Sequence, residues 1–419
     1  MIAKIAWKNI WFKPLNTALS IILLTASVAI ITLLILLEEQ FEKKFDSNID
    51  NIDLVLGAQG SPLQLILSSV YQVDAPTGNI DYTEAKTWMK HRFVQTAIPL
   101  AFGDNYRGFR IVGTTPDYLT VYGRGVKEGR AFAKNFEVVL GSAIAEKMKL
   151  KIGDKFFGSH GDAAEGELHE NHAYSIIGIA KPTGKVLDNL ILCNISSVWA
   201  MHDEEGHTQE EGEEHTAEAL GNATHEHEHH DEAMTEDGKE ITAVLIKFRS
   251  KMGIVMWPRL IAQNTKMQAA SPAIEINRLF SLFGIGLQAL QYLAYGIMFI
   301  SGISIFIALY NTLKERRYEF ALLRVNGASR LQLLWLVLIE SLILCLTGFI
   351  FGTVVGRIGL VLISGSSESE FKMSFNPFEF VWQKEGYLFG LTIFVGVLAA
   401  VIPAVKAYSL NISKTLANA

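Results

Sequence analysis

The sequence predicts a membrane α-helical protein with four transmembrane helices and an extracytoplasmic α+β domain inserted between helices 1 and 2. Three observations predict it. Four runs are apolar enough and long enough to cross a bilayer, about 240 residues of water-soluble sequence separate the first run from the second, and basic residues gather on one side of the runs. The composition agrees: at 49% hydrophobic and 19% charged the chain is too apolar for a disordered polymer and too charged for a bundle wholly embedded in lipid.

The first run, 14–37, carries no charge and follows Lys4, Lys8 and Lys13. About 20 apolar residues cross about 30 Å of hydrocarbon, so it is long enough to span. It ends directly in Glu38-Glu39-Gln40 with no small-residue cleavage signature, which predicts an uncleaved anchor. Residues 280–313 and 386–405 are also charge-free, and 331–363 holds only Glu340 and Arg357. Three lysines precede the first span, five bases lie in 314–330 and Lys406 and Lys414 follow the last span, whereas 364–385 is acidic on balance. The positive-inside rule then puts both termini and 314–330 in the cytoplasm and the large domain outside the cell inner (cytoplasmic) membrane.

The expected division is an amphipathic helix at 1–15, spans at 16–37, 280–313, 331–363 and 386–405, and a domain at 38–279 with an insertion at 201–240. A cytoplasmic loop at 314–330, a periplasmic loop at 364–385 and a tail at 406–419 complete it. The opening IAWKNIWFK, with interfacial tryptophans among lysines, fits a membrane-surface helix and equally an extension of the first span.

In 38–279, IDLVLG, FRIVGTT, YSIIGIA, NLILCNIS and ITAVLIKF read as strands, rich in Ile and Val and bounded by Gly, Asp and Pro. VVLGSAIAEKMKLKIGD reads as a strand, a turn with Ser142 as N-cap, and a helix. SKMGIVMWPRLIAQNT is helical with a kink expected at Pro258. Without regular strand–helix alternation the domain is expected to be α+β. Gly57 and Gly60 precede a helix in which Leu63, Ile66, Leu67 and Val70 share a face. With no lysine after them they read as a structural turn in preference to a phosphate cradle.

The insertion at 201–240 holds fifteen acids and one base, so the remainder of the chain has 36 bases against 28 acids. The acidity is local, and nucleic acid is not an expected partner. His225, His227, His229 and His230 stand there as HEHEHH. Imidazole with carboxylate suits Zn2+, which makes this loop a candidate divalent-metal sensor or collector; the competing reading is a solvated acidic loop with incidental metal affinity. The string also fits HExxH, but its flanks offer no apolar helix face for that motif to dock. Cys193 and Cys345, one in the soluble domain and one in a span, are not expected to pair.

Gly348, Gly352 and Gly356 form a smooth ridge on the third span, fit for close packing within the chain or between copies. Glu340 and Arg357 are costly in lipid and are expected to face protein. At about 1.5 Å per residue they stand about 25 Å apart on one helix, so they cannot pair with each other. Helix packing is the expected role of Glu340.

The segment KERRYEFALLRVNGASRLQLLWLVLIESLIL, 314–344, resembles the signature of the FtsX/MacB-type (LolC/E-like) ABC transporter permease family at Arg317, Glu319, Leu323, Arg324, Gly327, Ala328 and Glu340. The ending IPAVKAYSLNISKTL, the opening WKNIWFKPLNTALSIILL and VVLGSAIAEKMKLKIGDKF resemble further elements of that family. The resemblance implies a mechanotransmitting permease of an export or extraction system. It would work with a second copy as a homodimer, bind a cytoplasmic ABC ATPase through Arg316, Arg317, Glu319, Arg324 and Gly327, and meet a periplasmic or outer-membrane partner beside the membrane lipids. The chain itself is then not an enzyme, and ATP acts through the partner subunit; no Walker A string occurs in it. The alternative within the resemblance is an FtsX-like signalling protein that regulates a periplasmic hydrolase without transport.

Overall fold

The computed structural model describes residues 6–7, 14–122, 125–159, 172–201, 238–371 and 375–410. His225, His227, His229 and His230 lie outside the described residues. The chain divides into a helical unit, Met1–Lys43 with Ser281–Ala419, and a domain, Lys44–Phe280. Helix α1 is Pro14–Ile49. At 36 residues and about 1.5 Å each it outruns the hydrocarbon core, continuing for twelve residues beyond the apolar run as a regular helix.

The domain begins with β1 (Leu54–Ala58), α2 (Pro62–Ser69), β2 (Ile80–Asp81), α3 (Tyr82–Met89), β3 (Val94–Tyr106), β4 (Phe109–Thr114) and α4 (Asp117–Tyr122). It continues with β5 (Val126–Gly129), β6 (Glu137–Leu140), α5 (Ser142–Met148), β7 (Lys155–Phe156), β8 (Tyr174–Ala180) and β9 (Ile191–Asn194). It ends with β10 (Glu240–Ile241), β11 (Ala243–Phe248), α6 (Met252–Asn264) and β12 (Met267–Ala270). Among the described residues ten strands form one sheet in the order β12–β1–β11–β3–β4–β9–β6–β8–β5, with β7 added on β8, while β10 and β2 pair separately. Most neighbours are antiparallel; β4–β9 and β6–β8 are parallel. The domain is α+β.

Local sequence explains most of these elements. In β8 burial alternates strictly, with Tyr174, Ile176, Gly178 and Ala180 inward, as a half-buried strand requires. Ser61 caps α2, accepting the Gln64 N–H, and Pro62 stands where a missing N–H costs nothing. Of the expected face of α2, Ile66 and Val70 are buried and Leu63 and Leu67 half-buried; Leu65, which closes over Gly57, is buried with Ser68 and Ser69 as well. The N-cap of α5 is Gly141 instead of Ser142, and it makes no side-chain cap. A Cβ at 141 would run into the carbonyl oxygens of Leu187 and Asp188, so the chain accepts an uncapped start in return for that close approach. The thirteen-residue β3 carries turn-like Pro99, Gly103, Asp104 and Asn105, and for that reason it does not read as a strand. It exists because its first half pairs with β11 and its second half with β4, across a register shift between Phe102 and Asn105.

The remaining helices are α7 (Pro272–Glu315), α8 (Arg317–Val325), α9 (Arg330–Phe371) and α10 (Trp382–Tyr408). Helices α1, α7, α9 and α10 are each long and apolar enough to cross a membrane.

One ion pair gives the domain a measurable acid signature. The Arg130 guanidinium, helped by the N–H groups of Ala133 and Lys134, holds the Glu137 carboxyl down to about 2 from an ordinary 4.5. A depressed carboxylate stabilises the fold fully above its unfolded value and loses that contribution as pH falls toward the folded one. Glu137→Gln is therefore expected to flatten the loss of thermal stability between about pH 4.5 and about pH 2. Thermal melts of both chains across that window check it.

Candidate functional site

The segment between α7 and α9, expected as a loop, is a short helix locked at both ends. Helix α7 breaks at Arg316, whose guanidinium Nε donates to Glu319 Oε2 at 2.7 Å. At the far end of α8 the Ala328 N–H donates to Leu323 O at 3.0 Å and the Gly327 N–H to Arg324 O at 3.1 Å, a Schellman ending. Gly327 has φ +94°, a conformation that glycine adopts without steric cost. Arg324 Nη1 reaches forward to Ala328 O at 2.6 Å. Ser329 then starts α9 with a reciprocal cap: its Oγ accepts the Gln332 N–H at 3.2 Å, and Gln332 Oε1 accepts the Ser329 N–H at 2.7 Å.

Helix α8 has two faces. Phe320 and Ala321 are buried in the helical core with Leu313 and Leu333. Tyr318, Leu322 and Val325, at spacing i, i+4 and i+7, are 49%, 40% and 60% exposed. These three share one side of the helix, nearly opposite Phe320. Arg317 and Glu319 are exposed beside them. Of the residues expected to couple to an ATPase, Arg316, Arg324 and Gly327 thus also hold the shape of α8. The apolar residues of this segment that read in the sequence as suited to a docking partner are Tyr318, Phe320, Leu322 and Leu323; Tyr318 and Leu322 stand exposed with Val325 added to them, Leu323 is half-buried, and Phe320 turns into the core.

The glycine ridge of α9 faces α1. A Cβ at Gly348 would lie 2.6 Å from Leu24, and one at Gly356 would lie 2.7 Å from the Ala29 carbonyl; Val28 fills the same place at Gly352. The two backbones approach at the ridge because no side chain intervenes. Glu340 is buried, and its neighbour Ser341 donates to Gly396 O of α10 at 2.7 Å.

Arg357 meets a partner that does not stand out in the sequence. Its Nη2 lies 2.8 and 2.9 Å from the two oxygens of Glu385 on α10, a carboxylate only 3% exposed. Its Nη1 donates to the carbonyls of Pro377 and Glu379 at 2.5 and 2.9 Å. The same turn is held from α1: Gln40 exchanges hydrogen bonds of 2.8 and 2.7 Å with the Asn376 backbone, and Lys43 bridges to Glu379 at 2.6 Å. In the sequence Glu385 reads as one of the loop acids of 364–385, because its position there does not reveal that it turns inward. Beside this clamp a cavity of about 360 Å³ opens between α1, α7 and α10, lined by apolar Ile31, Ile35, Leu388 and Leu391 and by the charged Glu38 and Lys384.

The chain resembles known proteins over both parts. A family model described as FtsX-like permease C-terminal matches residues 292–412. One described as MacB-like periplasmic core domain matches residues 17–220. An uncharacterised ABC transporter permease protein of Mycobacterium tuberculosis is 25% identical over 328 residues, covering 74% of this chain and 33% of that protein. The chain therefore spans about a third of the length of the curated relative that it matches. Among solved structures, the periplasmic region of MacB from Actinobacillus actinomycetemcomitans is similar at a TM-score of 0.35 and 11% identity, covering 56% of this chain and 97% of that one. The extracellular domain of the noncanonic ABC-type transporter YknZ from Gram-positive bacteria is similar at a TM-score of 0.31 and 13% identity, covering 52% and 99%.

The Arg357–Glu385 pair predicts an asymmetric mutational response. Removing one partner of a buried pair strands the other charge and costs about 3 kcal/mol. Glu385→Ala is expected to lower the melting temperature in detergent by several degrees. The Arg357→Met/Glu385→Met double variant, which leaves no charge behind, should recover most of it. Melting curves of the three chains in one detergent check this.

Proposed function

This chain belongs to the FtsX/MacB type of ABC transporter permease, and on that premise we propose that it is the mechanotransmitting permease subunit of an export or extraction system. It sits in the inner membrane, pairs with a second copy of itself, and passes the motion of a separate cytoplasmic ATPase to its periplasmic domain. The observation that carries this reading is the exposed Tyr318–Leu322–Val325 face of α8. A water-facing apolar stripe on a helix fixed by a Schellman ending, a capping box and a buried Phe320 is a surface for a protein partner.

Rigidity is what suits α8 to the task. A flexible loop would absorb a partner's displacement locally. The α8 segment is bonded at its end to the first turn of α9 through Ala328 and Ser329, so a push on it is delivered to a helix of 42 residues. That helix packs on α1 through the glycine ridge and on α10 through Arg357 and Glu385. Both α1 and α7 run on in sequence into the periplasmic core domain, which gives the motion a covalent path outward.

Leu322→Asp is the variant of choice, since Arg324 also bonds its own helix end and its reversal would confuse docking with local structure. Truncating a central apolar anchor of an interface costs upwards of about 1 kcal/mol, and a carboxylate costs more. The expectation is co-purification with the ATPase weakened at least about tenfold, with unchanged melting of the permease. Equal recovery of the ATPase with Leu322→Asp and with the parent chain would remove α8 as the contact.

A further inference from the structure

The periplasmic core domain contains a second feature that ATPase docking does not use. A cavity of about 410 Å³, within the size range of small-ligand sites, lies between the end of α3, the start of β3 and the end of β11. Lys86, Lys90, His91, Arg92 and Arg249 line it, and among the described residues no carboxylate does. We propose that this cavity binds a phosphate-bearing anion outside the cytoplasm.

The backbone explains why the cations converge. Lys86 and Lys90 stand four apart at the end of α3, on one side of the helix. The chain turns at once, with the His91 N–H on Trp88 O at 3.1 Å and the Val94 N–H on His91 O at 2.9 Å, which brings His91 and Arg92 round beside them. Arg249 is fixed from the neighbouring strand: its N–H donates to Phe93 O at 2.9 Å and its Nε to Val94 O at 3.2 Å. Its two Nη groups make no bond to the described residues. His91 is wedged edge-on between Phe93 and Trp257, and its Nδ1 accepts the Phe93 N–H at 3.3 Å. In the neutral ring the proton is then on Nε2, so the ring offers a donor.

The chemistry of the lining selects the ligand. Lys90, Arg92 and Arg249 each bring a positive charge to the lining, and none of the three has a carboxylate partner among the described residues. Like charges gathered this way repel, and an entering anion relieves the repulsion. One carboxylate would leave a large excess of positive charge. A phosphate monoester carries about −1.5 to −2 and three acceptor oxygens, and it matches the fork of a guanidinium. A lipid headgroup and a soluble phosphate ester share this chemistry.

The test uses the full chain in a non-ionic detergent and calorimetry with two probes, inorganic pyrophosphate and a short-chain phosphatidylglycerol, with citrate as a carboxylate control. Lys90→Glu/Arg92→Glu is the variant; both side chains are exposed and neither makes a hydrogen bond that holds the fold, and a melting curve verifies this. The expected result is saturable binding of at least one phosphate probe, weakened at least tenfold in the variant and weakened by salt, as exposed charges require. Binding of pyrophosphate alone assigns a soluble ester, binding of the phospholipid alone assigns a headgroup, and binding of both assigns the phosphate group itself. Absence of binding of either probe, equal affinity in the variant, or citrate held as tightly as pyrophosphate overturns the proposal.

Discussion

A guanidinium two-thirds of the way along an apolar helix has to be neutralised before that helix can sit in a bilayer, and the outer half of the helical unit is organised around meeting that demand. Arg357 takes both oxygens of Glu385 and two backbone carbonyls of the 375–381 turn. The turn cannot then hang free, and α1 holds it from the other side through Gln40 and Lys43. Three helices and one connection meet at that single charge. A buried pair of this kind adds little net stability over apolar residues of the same shape. It does define one arrangement of α9 against α10, since slipping either helix by a residue would strand both charges.

Lower on α9 the constraint is steric. Glycines at 348, 352 and 356 let α9 lie against the backbone of α1, where Ala29 offers a carbonyl and no bulk. Packing of this sort substitutes for the hydrophobic drive that lipid removes. The central helix is therefore fixed to α1 by shape along the ridge and to α10 by charge toward the outer end. The Ser20–Ser304 contact of 2.8 Å links α1 to α7 in the same unit. A displacement applied at α8 meets a connected set of helices.

The periplasmic core domain obeys different rules. Its core is a water-driven one, built on a sheet whose inward rows include Leu54, Leu56, Val138, Leu140, Ile176, Ile191 and Val244. Burial pushes the Cys193 thiol up to about 12, so it acts there as a small apolar side chain with no ionic chemistry at neutral pH. At the α3–β3 turn the charge that the domain offers to solvent is of one sign.

Much of this was legible in the sequence because hydrophobicity and charge are local properties. Runs of about 20 apolar residues declare spans wherever they occur, lysines and arginines declare the cytoplasmic side, and the alternation in 174–180 declares a strand. The family signature at 314–344 belongs to the same class of information. Partnership is not local. Glu385 reads as one more acid at a span boundary until α10 is laid beside α9. Pro99 and Gly103 read as strand breakers until β11 and β4 supply pairing on either side. Gly348, Gly352 and Gly356 fitted packing within the chain or between copies, and only the approach of α1 shows which helix the ridge meets. Ser142 looked like a cap until the carbonyls of 187 and 188 claimed the space that only Gly141 leaves open. In each case the deciding energy is a contact between residues far apart in the chain, and such a contact exists only once the fold has brought them together.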